Sequence, residues 1–88
     1  MADTEFPYEI SDHAAETIKE RGVELEWVAR VVQNPAQTHP DQLDPDAVHA
    51  LATIPEFGDR VLRVIYNPTV TPWRIVTAFF DRRMKGRL

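Results

Sequence analysis

The spacing of apolar residues divides the chain into a helical part and a strand-rich part. From residue 12 to residue 34 apolar side chains recur every three or four positions, the period of a helix with one buried face. From residue 47 to residue 80 they largely alternate with polar side chains, the period of a strand with two different faces. The pattern therefore predicts an α+β fold in which an N-terminal helical hairpin packs on a small antiparallel sheet of three or four strands.

The first helix is predicted to begin at Ser11 or Asp12 and to end near Arg21. Both starting residues carry side-chain oxygens that accept hydrogen bonds from the free amides of a first helical turn. Gly22 follows, and glycine often ends a helix because it adopts the left-handed conformation without strain. Residues 12–21 are thus expected to form a short helix with Ile18 on its buried face.

A second helix is predicted from Glu24 to about Gln33. The pair Asn34-Pro35 ends it, because the residue before a proline disfavours helical conformation. Only one or two residues separate the two helices, so residues 12–34 are expected to form a hairpin. The apolar positions of the second helix follow the helical period and are Leu25, Val28, Val31 and Val32.

Strands are predicted in the second half of the chain. The turns between them are short, so they are expected to form an antiparallel meander. The alternating segment Phe6–Ile10 predicts a further short strand at a sheet edge, because Pro7 cannot donate a hydrogen bond to a neighbouring strand. The three main predicted strands are Ala47–Ile54, Arg60–Asn67 and Trp73–Phe80.

Two segments lack a regular period. Gln37–Asp46 is polar, contains two prolines and is predicted to be a loop. Asp81–Leu88 is predicted to be either a short final strand or a frayed basic tail. Because 88 residues suffice for one hydrophobic core, we expect a single domain over residues 1–88, with the loop at 35–46, the sheet at 47–81 and the tail at 82–88.

Composition excludes several classes of protein. The chain has no cysteine, which excludes disulfides and thiolate metal sites. Its first residues lack the basic and apolar segments of a secretory signal, and its apolar runs are too short to cross a bilayer. It has no phosphate-binding glycine loop, dinucleotide fingerprint, nucleophile elbow or HExxH motif. We expect a cytoplasmic protein that uses no cofactor, no metal and no membrane partner.

Charge is unevenly distributed along the chain. Residues 1–59 hold 13 acidic and 3 basic side chains, a net charge of −10, whereas residues 60–88 hold 1 acidic and 7 basic side chains, a net charge of +6. The sum is the net charge of −4. A basic C-terminal part indicates an anionic partner. The alternative is that folding mixes the two parts and removes the asymmetry from the surface.

A small set of side chains carries chemistry suited to RNA cleavage. Attack by a ribose 2′-hydroxyl needs a proton acceptor, a proton donor and a cation at the phosphate. Each residue also has an ordinary structural interpretation, as a helix cap, a ligand of terminal carbonyls or a strand threonine. The predicted catalytic residues are His13, Arg21, Arg63 and Thr77, with His49 as a weaker candidate.

The last residues form a basic cluster. Their side chains suit contacts with phosphates, and the alternative is a solvated chain end. The predicted nucleic-acid-binding residues are Arg82, Arg83, Lys85 and Arg87.

The order of these features resembles one known family. The helix Ile10–Gly22, with its leading histidine and its arginine-glycine end, is followed by a helix that closes on Asn34-Pro35. The strands Arg60–Tyr66 and Val76–Phe80 complete the pattern. It is similar to the small bacterial family catalogued as domain of unknown function 4258, which itself resembles the RelE/ParE toxin architecture.

The resemblance implies site residues as well as a fold. Its motif histidine falls on His13, its helix-end arginine on Arg21, its strand arginine on Arg63 and its last-strand threonine on Thr77. Where relatives often carry a further arginine, this chain has Thr17. The pI of about 5.2 also departs from the basic character of ribonuclease toxins.

Three functions remain open at this point. The first is a toxin-type component that cuts RNA without a metal and pairs with an antitoxin-like protein. The second is a non-catalytic module that binds another protein or forms a homo-oligomer through a sheet edge. The third is an enzyme acting on a small molecule, although a chain this short forms a deep pocket only with difficulty.

Overall fold

A helix pair followed by a four-stranded antiparallel sheet makes up the computed structural model, which describes residues 6–88. The predicted α+β fold is confirmed, while the first five residues of the predicted domain lie outside the described residues. Two short 3-10 turns, Pro55–Phe57 and Arg82–Met84, complete the chain. The helices and strands are α1 (Asp12–Glu20), α2 (Leu25–Gln33), β1 (Gln37–Pro40), β2 (Val48–Ile54), β3 (Arg60–Asn67) and β4 (Arg74–Phe80).

The helix ends follow the capping signals in the sequence. Ser11 is the N-cap of α1, and its Oγ accepts a hydrogen bond of 3.1 Å from the amide of Ala14. Gly22 follows the C-cap residue Arg21 with a φ of +77°, a conformation that favours glycine. The predicted bounds of both helices are therefore confirmed to within a residue or two.

The predicted loop over residues 37–46 is wrong for its first four residues. Gln37–Pro40 is strand β1, which pairs with β2 in the register Gln37 to Leu51 and Pro40 to Val48. Its polar sequence and its proline are typical of a loop, but at a sheet edge β2 supplies the backbone partners. Pro40 is tolerated because it is the last residue of an edge strand.

The segments before α1 and after β4 lack the strands considered for them. Phe6–Ile10 forms no strand ladder but a single bridge, in which the Glu9 amide donates to Trp73 O and the Ile75 amide donates to Glu9 O, each at 2.8 Å. The C-terminal segment after β4 forms no strand. It begins with the 3-10 turn Arg82–Met84, which is capped by the carboxylate of Asp81.

The two helices cover one face of the sheet. Ala50, Val64 and Ala78 lie side by side across β2, β3 and β4 and are fully buried beneath Val28 and other residues of the helices. Because side chains alternate along a strand, the residues between them point to the opposite face. This opposite surface, which we call the open face, carries the polar residues His49, Arg63 and Thr77 of the strands, together with the side chain of Asp81 just after β4.

Candidate functional site

A chain of four side chains crosses the open face and ends just beyond β4. The His49 Nε2 atom lies 2.7 Å from Asp41 Oδ1, and the His49 Nδ1 atom lies 2.8 Å from Arg63 Nη1. Arg63 also donates from Nε and Nη2 to Asp81 Oδ2, at 3.0 and 2.9 Å. The result is a continuous carboxylate–imidazole–guanidinium–carboxylate chain, which we call the polar relay.

The partners of His49 determine which of its nitrogens carries the proton. An arginine is only a donor, so Nδ1 must accept the hydrogen bond from Arg63. Nε2 therefore carries the hydrogen and donates it to Asp41. In this arrangement the imidazole is neutral, and its basic nitrogen points towards a guanidinium group.

Burial and charge both distinguish the relay from the ion pairs of the surface. The Asp81 side chain is 3% exposed and that of Arg63 is 16% exposed, so neither charge is well solvated. Burial raises the pKa of Asp81, but the hydrogen bonds from Arg63 and from the Arg83 amide outweigh it and lower this pKa below its usual value. The hydrogen bond from His49 is the main cause that lowers the pKa of Asp41 to about 2. Both carboxylates are therefore ionised at neutral pH.

The relay is open to solvent on one side. A cavity of about 600 Å³ lies between β1, the loop that follows it and the relay. Its wall includes Asp41, His49 and Arg63, together with His39 of the neighbouring strand. A small group that enters this cavity reaches the histidine and the arginine together.

A second arrangement joins α1 to the edge strand β4. Arg21, at the end of α1, donates from Nη1 to Thr77 Oγ1 at 2.9 Å and to Ala78 O at 3.1 Å. Thr77 lies on the open face, opposite Ile65 of β3. The guanidinium of Arg21 is therefore held beside the edge of the sheet, close to the end of β4.

The structure brings together some of the sequence-predicted residues and separates others. Arg21 contacts Thr77, and Arg63 contacts His49. His13 is exposed in the first turn of α1, about 12 Å along the helix from Arg21, and among residues 6–88 its imidazole makes no hydrogen bond. The four predicted catalytic residues thus do not form one cluster, and His13 lies apart from the relay.

The predicted nucleic-acid-binding residues also divide into two groups. Arg82 and Lys85 line a cleft of about 610 Å³ beside the end of β4. Arg83 extends into solvent with its Nε at 3.5 Å from Asp81 Oδ1. Arg87 is exposed and is not among the residues that line the cleft.

Sequence reasoning missed the two carboxylates of the relay. Asp81 had one available signal, since it is the only acidic residue after residue 60 and lies where an apolar-flanked arginine needs a partner. No sequence signal indicated Asp41, because its pairing with His49 depends on the turn after β1. The Oδ2 atom of Asp41 also accepts hydrogen bonds from the amides of Leu43 and Asp44, and these bonds hold the turn in shape.

The described residues show no metal site and no membrane span. Across residues 6–88, no three or more histidine, aspartate or glutamate side chains are grouped so as to hold a metal ion. In the same part of the chain neither helix has the length and apolarity that a bilayer crossing requires.

Comparison with known proteins places the chain in a family but not in a functional class. No curated protein and no solved structure matches it. The resemblance to the RelE/ParE architecture therefore stays a prediction. One family model, described as a domain of unknown function, matches residues 10–80, which include both helices and all four strands. The chain belongs to the DUF4258 family.

Proposed function

We propose that this protein binds RNA on the open face of its sheet and cuts it without a metal, as the toxin-type component of a toxin–antitoxin pair. The observation that carries the proposal is the pairing of His49 with Asp41 on one side and Arg63 on the other. It supplies an oriented base beside a cation, which are two of the three groups that attack by a 2′-hydroxyl requires.

The carboxylate and the imidazole have distinct roles in this reaction. Asp41 holds the Nε2 hydrogen and stabilises the imidazolium that forms, as the carboxylate does in a catalytic triad. When substrate enters, its 2′-hydroxyl replaces the Arg63 hydrogen bond at His49 Nδ1 and transfers its proton there. The 2′-oxygen then bonds to phosphorus and the bond from phosphorus to the 5′-oxygen breaks. The leaving oxygen takes a proton from water.

Arg63 retains hydrogen-bond donors for the phosphate. Of its five N–H groups, two bind Asp81 and one binds His49. The remaining two, one on each Nη, are available to the oxygens of a phosphate whose charge increases during the reaction. Arg21, held by Thr77, adds a second cation at the edge of the same face. His13 has no role in this reaction.

A second function has its own supporting observation. Among the described residues no buried side-chain nitrogen or oxygen lacks a hydrogen-bond partner, so the relay is complete without any ligand. Such a network suits a module that uses the relay only to brace its sheet and binds another protein. Trp73, just before β4, and Val76, within β4, are exposed and would then belong to the contact surface.

A cleavage assay in the presence of EDTA tests the catalytic proposal. We expect the wild-type protein to convert a labelled single-stranded RNA into fragments ending in a 2′,3′-cyclic phosphate, and to leave DNA of the same sequence intact. His49→Gln should abolish cleavage, because glutamine cannot accept the proton. His13→Gln is the matched control, since His13 is exposed on α1 and lines neither the relay nor its cavity. Intact RNA with the wild type, or full activity of His49→Gln, would contradict the proposal.

A further inference from the structure

A cationic cleft lies at one end of the sheet, where β3 begins and β4 ends. Arg60 opens β3, Arg82 and Lys85 belong to the segment after β4, and Arg21 comes from the end of α1. These four basic side chains come from separate parts of the chain and meet around one space of about 610 Å³. We call this space the cationic cleft.

Within residues 6–88, the basic side chains of this cleft have no carboxylate partner. Asp81 is the one acidic residue among those that line it, and its carboxylate is already bound by Arg63. The other arginines of the sheet and helices are ion-paired, as Arg30 is with Glu56 and Arg74 is with Glu9. Among residues 6–88 the basic side chains with no ion pair are Lys19, Arg21, Arg60, Arg82, Lys85 and Arg87, and four of these six line the cleft.

The concentration of unpaired cations is notable because the whole chain is acidic. With a net charge of −4, the protein as a whole repels phosphates. Four cations that converge with no carboxylate partner in the described part of the chain create a local positive potential, which attracts an anion carrying several charges. A nucleic-acid backbone is such an anion.

An aromatic ring connects the cleft with the relay. Phe79 lies directly opposite Arg63 in the pairing of β3 with β4 and is only partly buried. It also lines the cationic cleft. An aromatic face beside a row of cations is the arrangement with which proteins hold the unstacked bases of single strands. The bases of a duplex are stacked on each other and do not reach such a ring.

We infer that the cationic cleft binds the backbone of a single-stranded nucleic acid, with Phe79 stacking on a base and Arg21, Arg60, Arg82 and Lys85 contacting phosphates. The inference deepens the proposed function and rests on it for the position of the reacting nucleotide. From Val61, at the cleft, to Ile65, beside His49, β3 extends about 13 Å, a distance that a short oligonucleotide spans.

Binding of DNA tests the cleft separately from cleavage. A short fluorescent oligothymidylate lacks the 2′-hydroxyl, so it is bound but not cut, and fluorescence anisotropy gives its affinity at several salt concentrations. Each phosphate contact on a single strand contributes about −0.7 to the slope of log K against log salt. Arg60→Gln combined with Lys85→Gln should weaken binding several-fold and make this slope less steep by about 1.4.

Two controls make the result specific. Lys19→Gln removes a cation of α1 that lies outside the cleft, and it should leave both the affinity and the slope unchanged. Phe79→Leu should weaken binding without changing the slope, since it removes stacking and no charge. Equal binding by the wild type and the double variant, or equal loss with Lys19→Gln, would overturn the inference.

The outcomes also separate the cleft from the proposed function. Oligothymidylate binding that depends on Arg60 and Lys85, without any RNA cleavage, supports the cleft and contradicts the catalytic proposal. If RNA cleavage depends on His49 but the double variant binds oligothymidylate as well as the wild type does, the catalytic proposal is supported and the binding role of the cleft is contradicted.

Discussion

The polar relay and the cationic cleft lie next to each other and use the same residue type in opposite ways. In the relay, the side chain of Arg63 is only 16% exposed and its charge is balanced by Asp81. In the cleft, Arg60 and Arg82 are exposed and have no carboxylate partner among residues 6–88. A basic residue near such a surface is therefore informative only once its partners are known.

The difference follows from position along the strands. Arg63 lies in the middle of β3, where its neighbours on the open face leave its guanidinium little contact with water, and an unpaired charge there is costly. Arg60 is the first residue of the same strand, where its guanidinium reaches solvent and lies 4.8 Å above the ring of Phe57. A charge at a strand end needs no carboxylate, so it remains available to a ligand.

Breaking the relay should have the largest effect on stability. Arg63→Ala leaves the buried carboxylate of Asp81 without its main partner, and we expect a loss of about 3–5 kcal/mol in the free energy of unfolding. Arg74→Ala is the control, because its ion pair with Glu9 is about half exposed on each side and should be worth less than about 1 kcal/mol. Urea unfolding measures both variants. Similar losses for the two would show that burial does not distinguish the relay.

Acid should weaken the relay before it affects the cleft. The pKa of Asp41 is lowered to about 2, and that of Asp81 also lies below its usual value. A carboxylate whose folded pKa is below its unfolded pKa contributes stability that is complete above about pH 4 and is lost as the pH falls towards about 2. The urea midpoint should therefore decrease over this range.

Two variants identify the source of that acid sensitivity. Asp41→Asn should make the urea midpoint depend less steeply on pH, because it removes the contribution of the relay. Glu56→Gln should do so separately, because the hydrogen bond from Arg30 lowers the pKa of Glu56 to about 2 outside the open face. An unchanged pH profile for Asp41→Asn would mean that its pairing with His49 does not stabilise the fold.

Removing the link between α1 and β4 should have a smaller effect. Thr77→Val deletes the hydroxyl that accepts from Arg21, while Arg21 keeps its bond to Ala78 O, so the expected loss is about 1 kcal/mol or less. Thr53→Val is the matched control, since this threonine lies on the same face in β2. Thermal unfolding compares them. An equal change in both variants would indicate a general effect of valine on the sheet.

Removing cleft cations should have the smallest effect on stability. Arg60→Gln combined with Lys85→Gln loses one cation–aromatic contact and no ion pair, so the free energy of unfolding should change by less than about 1 kcal/mol. The same urea measurement applies. A loss comparable with that of Arg63→Ala would place these cations in the structural network and remove the contrast between the two regions.

Local signals predicted most of the fold. The N-cap Ser11, the helix-ending Gly22 and the pair Asn34-Pro35 mark boundaries that the structure confirms, because capping and proline effects act within a few residues. The alternation in residues 47–80 predicted three strands for the same reason. Strand β1 was missed, since its four polar residues are ordered by pairing with β2 and not by any period of their own.

Which residues of β2 and β3 share a face can be read from the sequence, because side chains alternate along these strands, with His49 and Arg63 at odd positions. In β4 the alternation is interrupted, because a register shift opposite Ile65 and Tyr66 places Ile75 in the helix-side core, whereas Thr77 lies on the open face. The hydrogen-bond partners of these side chains, in contrast, depend on how the elements pack. The pairing of His49 with Asp41 depends on the turn after β1, and that of Arg63 with Asp81 depends on the diagonal contact between β3 and the end of β4. The separation of His13 from Arg63 has the same origin, since α1 packs on the other face of the sheet. Spacing fixes a face, whereas contact between side chains far apart in the sequence depends on how the elements pack.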